Sequence, residues 1–246
     1  MYPSVQVLLR VIVIGMSLFI GAYAYGEPPN SYLEQVRQCL EELDREKMDE
    51  NWFYTMTTVT KDEILVTHSN PLRDKNKRVK LISVNDKTPS ADRRKAFKKE
   101  EANRLERESE KGGQLRYSEM VDLDTLKFKT LNENNKTVQL SFSPRLKDME
   151  DERDKFIGSL TFNTVTGLIE TLAIENTEKV SPAFSVSIHR YKMTLDFVSR
   201  NNSLLIGQLK STVKGKVGFL KTIDVDVDII FSDYRKKPNV QEYASE

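Results

Sequence analysis

The side chains that could do nucleophilic, acid–base or metal chemistry in this chain are few and scattered. There are two histidines, His68 and His189, and one cysteine, Cys39. A Ser/His/Asp or Cys/His hydrolase needs a nucleophile whose proton a neighbouring histidine can take. His68 ends a stretch read as a strand beside a polar loop, and His189 lies inside a longer one. Neither belongs to a nucleophile motif such as G-x-S-x-G. Carboxylates abound, but no one pair is singled out as the acid and base of a glycosidase. The sequence has no H-x-x-x-H, no C-x-x-C and no EF-hand loop. Its one calcium-like string is Asp224-x-Asp226-x-Asp228. On a strand, alternate side chains stand roughly 7 Å apart in a row, so these carboxylates face lysines rather than wrap an ion. The chain is read as a non-enzyme with no catalytic residue, no cofactor and no metal site.

Cys39 falls in a stripe with Leu33, Val36, Leu40 and Leu43. That spacing is helical, and it makes Cys39 a core thiol. A single cysteine also excludes an intramolecular disulfide framework.

The first residues indicate export. Arg10 is the one basic residue before an apolar run from Val11 to Ala22, and Ala22-Tyr23-Ala24 supplies an A-x-A cleavage site. Residues 1–24 are read as a signal peptide cut near Ala24, and 25–246 as one exported domain. Without Arg10, basic and acidic residues balance, so no global field favours nucleic acid.

Along that domain the pattern reads helix, strands, helix, then a long meander. Ser31 caps a helix to about Met48, with Glu34 three residues on. Strands follow over Asn51–Thr60, Glu63–His68 and Arg78–Val84, with a turn at Asn85-Asp86-Lys87. Residues 90–111 form a charged helix, basic in its first half and acidic in its second, closed by Gly112-Gly113. Its basic half could sit on anionic headgroups. However, Ala91, Phe97, Ala102 and Leu105 offer too little apolar area to insert, so it is read as a solvated helix laced with ion pairs.

The second half of the chain alternates apolar and polar residues, the signature of a sheet with one apolar face. Hairpins are expected over Thr125–Leu131 with Thr137–Ser143, and over Phe156–Asn163 with Leu168–Asn176. Between them, Lys147–Lys155 is read as a mobile linker. In the strand Phe184–Val198 the apolar parity flips from Phe184, Val186 and Ile188 to Tyr191, Met193, Leu195 and Phe197. A β-bulge near His189-Arg190 must absorb that flip, and bulges curl open sheets into partial barrels. In the last hairpin the odd positions from Leu209 to Phe231 are apolar, and the even ones carry lysines and then aspartates. Folding at about Leu220 would oppose Lys216 to Asp224 and Lys214 to Asp226.

Several strings carry a family resemblance. They are Val79–Pro89 (VKLISVNDKTP), Gly158-Ser159-Leu160-Thr161-Phe162, Thr166-Gly167, Ser181-Pro182-Ala183-Phe184 and Phe231-Ser232-Asp233-Tyr234-Arg235. Over about residues 50–236 the chain resembles uncharacterised exported proteobacterial proteins near the periplasmic lipoprotein-carrier superfamily, the LolA/LolB-like fold. The charged helix 90–111 is an addition to that layout. The resemblance implies an α+β fold: a curved antiparallel half-barrel of about 9–11 strands, with two or three helices covering one face. It also implies non-catalytic binding of a lipid, an acyl chain or a lipoprotein-type apolar ligand. The side chains expected to line the concave side are Phe162, Leu172, Phe184, Val186, Met193, Leu195 and Phe197. The expected state is a monomer without nucleic-acid partners. The alternative is an envelope scaffold or protein-interaction module with a fully packed core.

Overall fold

The computed structural model describes residues 30–238, apart from 111–115, 133, 135 and 219–220. The expected signal peptide 1–24, the Gly112-Gly113 helix stop, the hairpin apex at Leu220 and the tail beyond 238 lie outside the described residues. Helix α1 spans Asn30–Arg45, and a short helix α2, Met48–Asn51, leads into strand β1. Along α1 the stripe of Val36, Cys39, Leu40 and Leu43 is buried, as its 3-4 spacing requires.

The strands are β1 Trp52–Thr60, β2 Ile64–Ser69, β3 Val79–Val84, β4 Lys127–Asn132 and β5 Thr137–Phe142. Then come β6 Phe156–Asn163, β7 Leu168–Asn176, β8 Val186–Arg200, β9 Ser203–Val217 and β10 Lys221–Lys236. Helices α3, Ala91–Glu110, and α4, Tyr117–Met120, lie between β3 and β4. All ten strands form one sheet in the order β3-β2-β1-β10-β9-β8-β7-β6-β5-β4. Every pairing in it is antiparallel. The fold is thus α+β with a large sheet that does not close. Two meanders, β1–β3 and β4–β10, join where β1 docks on β10. The free edges are β3 and β4, and the stretch carrying α3 and α4 connects them.

Local residue choices set the turns. Asn85 and Asp86 between β3 and the next bridge, and Asn201 and Asn202 between β8 and β9, all take positive φ, as two-residue hairpin turns demand. Gly167 does the same between β6 and β7, at φ +69°. The bulge expected in β8 is present: the pairing with β9 shifts between Ile188 and Arg190, leaving His189 as the extra residue. Opposite it the strands come so close that a Cβ on Gly215 would collide with the Ser187 carbonyl oxygen.

Three expectations need correction. The last hairpin is displaced by two residues from the expected pairing: Asp224 opposes Lys214, and Lys216 opposes Thr222. The face assignment survives, because a two-residue shift preserves parity. The strand expected from Phe184 starts at Val186. Ser185 takes φ +66° and breaks the extended chain, while Val180 forms the bridge to Ile188 instead. Phe184 is left in the intervening loop, wholly exposed. Finally, Lys147–Lys155 is not a loose linker but a 3-10 segment. Arg153 within it pairs with the buried Asp122, which also accepts from Arg145 at 2.8 Å.

The main core lies between α1, α4 and strands β5–β9. Asp44 on α1 holds α4 in place by accepting from the backbone N–H groups of Tyr117 and Ser118, at 2.6 and 3.1 Å. A smaller cluster of Trp52, Tyr54 and Leu205, flanked by Met48, Phe231 and Tyr234, seals the β1–β10 seam.

Candidate functional site

Beside the free edge of β3 lies a partly open hollow of about 470 Å³, between that strand, the loop before it and the start of α3. Several local interactions shape it. Ser90 caps α3 by accepting from the Arg93 backbone N–H at 3.1 Å. The Arg93 guanidinium then donates to Glu63, in the β1–β2 turn, at 2.9 Å. Glu100, two turns along α3, accepts from Arg93 at 3.2 Å. These bonds fix the helix start against the sheet, and Phe97, four residues after Arg93, is buried. Arg94 is anchored as well, its Nε and Nη2 donating to the Pro89 carbonyl at 3.0 and 2.8 Å.

The hollow has two chemical characters. Its apolar surface comes from Val79, Leu81, Ile82, Pro89 and Phe97. Consecutive β3 residues contribute because the hollow sits against the edge of the strand, where both side-chain directions are reached. Its polar rim is cationic: Arg73, Lys77, Lys80, Arg94 and Lys98. The volume falls in the range of small-molecule sites, about 300–1,000 Å³.

The polar groups elsewhere hold the fold together. Glu46, just after α1, accepts from Trp52 Nε1 at 2.7 Å and from Ser203 Oγ at 2.9 Å. Burial pushes the Glu46 carboxyl upward, but the bonds from Trp52 and Ser203 and the charge of Lys236 outweigh it and hold it below the usual carboxylate range. Tyr54 donates to Asp49. Burial first, and that carboxylate next, push its phenol far up. Tyr234 donates to the Ile206 carbonyl at 2.6 Å, and its ring meets Trp52 edge-on. Burial raises the Cys39 thiol, which donates to the Gly167 carbonyl at 3.1 Å. A thiol so held is a core group, as its place in the α1 stripe implied.

The expected ligand-lining residues do not form one open surface. Phe162, Leu172 and Leu195 are fully buried and Phe197 is buried, all within the core beneath α1. Val186 and Met193 sit half-buried at its margin. Phe184 stands apart in its loop. His68 and His189 are both exposed, on β2 and at the β8 bulge. Among the described residues no group of three or more His, Cys, Asp or Glu could hold a metal ion, and no helix is long and apolar enough to cross a membrane.

The hollow at β3 is not legible in the sequence, because its lining comes from three segments separated by polar stretches. The available signal was Phe97, the one aromatic residue in the basic half of the charged helix. No protein-family model matches the chain, and neither the curated proteins nor the solved structures compared with it give a match.

Proposed function

We propose that this chain is an exported, non-catalytic binding protein for a lipid or acyl group, and that the acyl part lies in the hollow between α3 and β3. The observation that carries the reading is that hollow: about 470 Å³, floored by Leu81 and Phe97, and partly open. Each methylene taken from water into such a site contributes roughly 0.8 kcal/mol, so a chain of modest length binds without any catalytic group. The half-barrel shape expected of a lipoprotein-carrier-like protein belongs to the same reading. It is supported by the open antiparallel sheet, by register shifts in the β1–β10, β2–β3, β4–β5 and β6–β7 pairings and two in the β8–β9 pairing, and by α1 on one face. So do the periplasmic location and the monomeric state.

One observation favours a second reading, an envelope scaffold or interaction module. Phe162, Leu172 and Leu195 fill the space beneath α1, so that face holds no ligand unless the helix moves. Native mass spectrometry of protein purified from the periplasm, with solvent extraction, separates the two. The carrier reading predicts a copurifying acyl lipid and uptake of a fluorescent fatty acid that Phe97→Asp abolishes. A clean apo mass with no uptake would leave the scaffold.

A further inference from the structure

The rim of the hollow is charged in one sense only. Arg73, Lys77, Lys80, Arg94 and Lys98 surround the apolar floor, and none of the described lining residues is acidic. Among the described residues, Lys77 alone of the five has an ion-pair partner, Asp74 at 3.2 Å, and that pair is mostly exposed. Elsewhere on α3, Arg93 pairs with Glu63 and Glu100, and Arg104 with Glu101. The charge balance of the whole chain makes the local excess more telling, because a formal net charge of +1 supplies no background field that would create it.

We infer that the ligand is an anionic amphiphile, a single acyl chain carrying a carboxylate or phosphate head, with the chain on Phe97 and Leu81 and the head among Lys80, Arg94 and Lys98. This inference rests on the acyl-binding reading above and adds the chemistry of the head. Arg94, pinned by the Pro89 carbonyl, presents a planar donor set suited to carboxylate and phosphate oxygens. Lys80 and Lys98 supply point charges from the edge strand and from the helix face one turn beyond Arg94. The apolar floor excludes water from one side of the head and so strengthens these contacts relative to open solvent. The acidic second half of α3 lies beyond the lining of this hollow.

The test is a set of displacement titrations on the full chain with four single-chain amphiphiles: oleate, lysophosphatidic acid, neutral monoolein and zwitterionic lysophosphatidylcholine. The inference predicts that both anionic ligands bind about tenfold or more tighter than monoolein. It predicts that the preference shrinks as salt rises. Lys80→Glu with Lys98→Glu should erase the preference. Tighter binding of oleate alone would assign a carboxylate head, and of lysophosphatidic acid alone a phosphate head. Equal affinity for anionic and neutral ligands overturns the inference and leaves the acyl-binding reading standing. Absence of binding by all four overturns both. Inorganic phosphate binding as tightly as lysophosphatidic acid would also overturn the inference, because the acyl chain would then contribute nothing.

Discussion

Asp122 shows how a single side chain can organise a distant segment. Its carboxylate is buried near the end of α4, yet it receives Arg145 at 2.8 Å and Arg153 from the 3-10 segment before β6. Burial pushes this carboxyl upward, and the bond from Arg153 with the charges of both arginines pulls it further down, so the net position is below the ordinary range. A carboxyl depressed on folding stabilises the fold above its unfolded pKa, near 3.9, and loses that contribution as pH falls through the folded value. Asp122→Asn should therefore lower stability by about 2 kcal/mol at pH 7. That is less than for a fully buried pair, because both arginines are partly exposed. The gap between variant and wild type should narrow below about pH 4. Urea unfolding at pH 7 and pH 3 measures it; a gap of the same size at both would contradict the assignment. The sequence showed the charges of Lys147–Lys155 but not this partner, which lies 31 residues away from Arg153. A polar, charged stretch looks like a linker until its buried counter-ion is known.

At the scale of elements, β8 and β9 carry the sharpest constraint. The parity flip after Ile188 was readable because it needs only one strand's own residues, and His189 duly occupies the bulge. His189→Ala should change stability by less than about 0.5 kcal/mol, since the side chain is exposed. Deleting His189 should leave the strand folded, because Ile188 and Arg190 already pair with the adjacent Gly215 and Lys214, so Ile188, Tyr191, Met193, Leu195 and Phe197 then alternate on one face without a bulge. Gly215→Ala should cost about 3 kcal/mol, for its Cβ would meet backbone rather than a yielding side chain. Circular dichroism melts of the three variants test this; a deletion variant that fails to fold would sink it.

The β9–β10 hairpin is a more instructive case. Alternation fixed its faces, but the lysine and aspartate rows fit two registers equally well. Lys214 in fact reaches both Asp224 at 3.3 Å and Asp226 at 3.6 Å, so the charges tolerate the two-residue shift. Replacing both aspartates by lysine should lower the melting temperature by about 2–4 °C at low salt and by less in 1 M salt. An unchanged melt at low salt would show that those contacts contribute nothing.

Across the whole molecule, the strand pattern of the second half could be read because each of its strands pairs with its neighbour in sequence. The docking of β1 on β10 could not. It is made by Trp52, Tyr54, Phe231 and Tyr234 with Glu46 and Asp49, and no local periodicity announces such a long-range pairing. The same limit hid the hollow at β3, whose walls depend on where α3 lies against the sheet edge. The apolar residues most suggestive of a ligand surface, Phe162, Leu172 and Leu195, are instead the packed centre of the core. Apolar alternation alone does not separate a lining from a filling. Trp52→Ala at the seam should cost about 3–5 kcal/mol and lower the urea midpoint accordingly; a midpoint near wild type would mean that β1 is held by its ladder alone.

Ligand that enters at β3 and α3 leaves the core beneath α1 closed. Amide hydrogen exchange of the full chain, with and without saturating oleate, tests this: exchange should slow at Val79–Ile82 and Arg94–Lys98 and stay unchanged over Asn30–Arg45. Altered exchange in Asn30–Arg45 and in the strands beneath it, with none at β3, would contradict it.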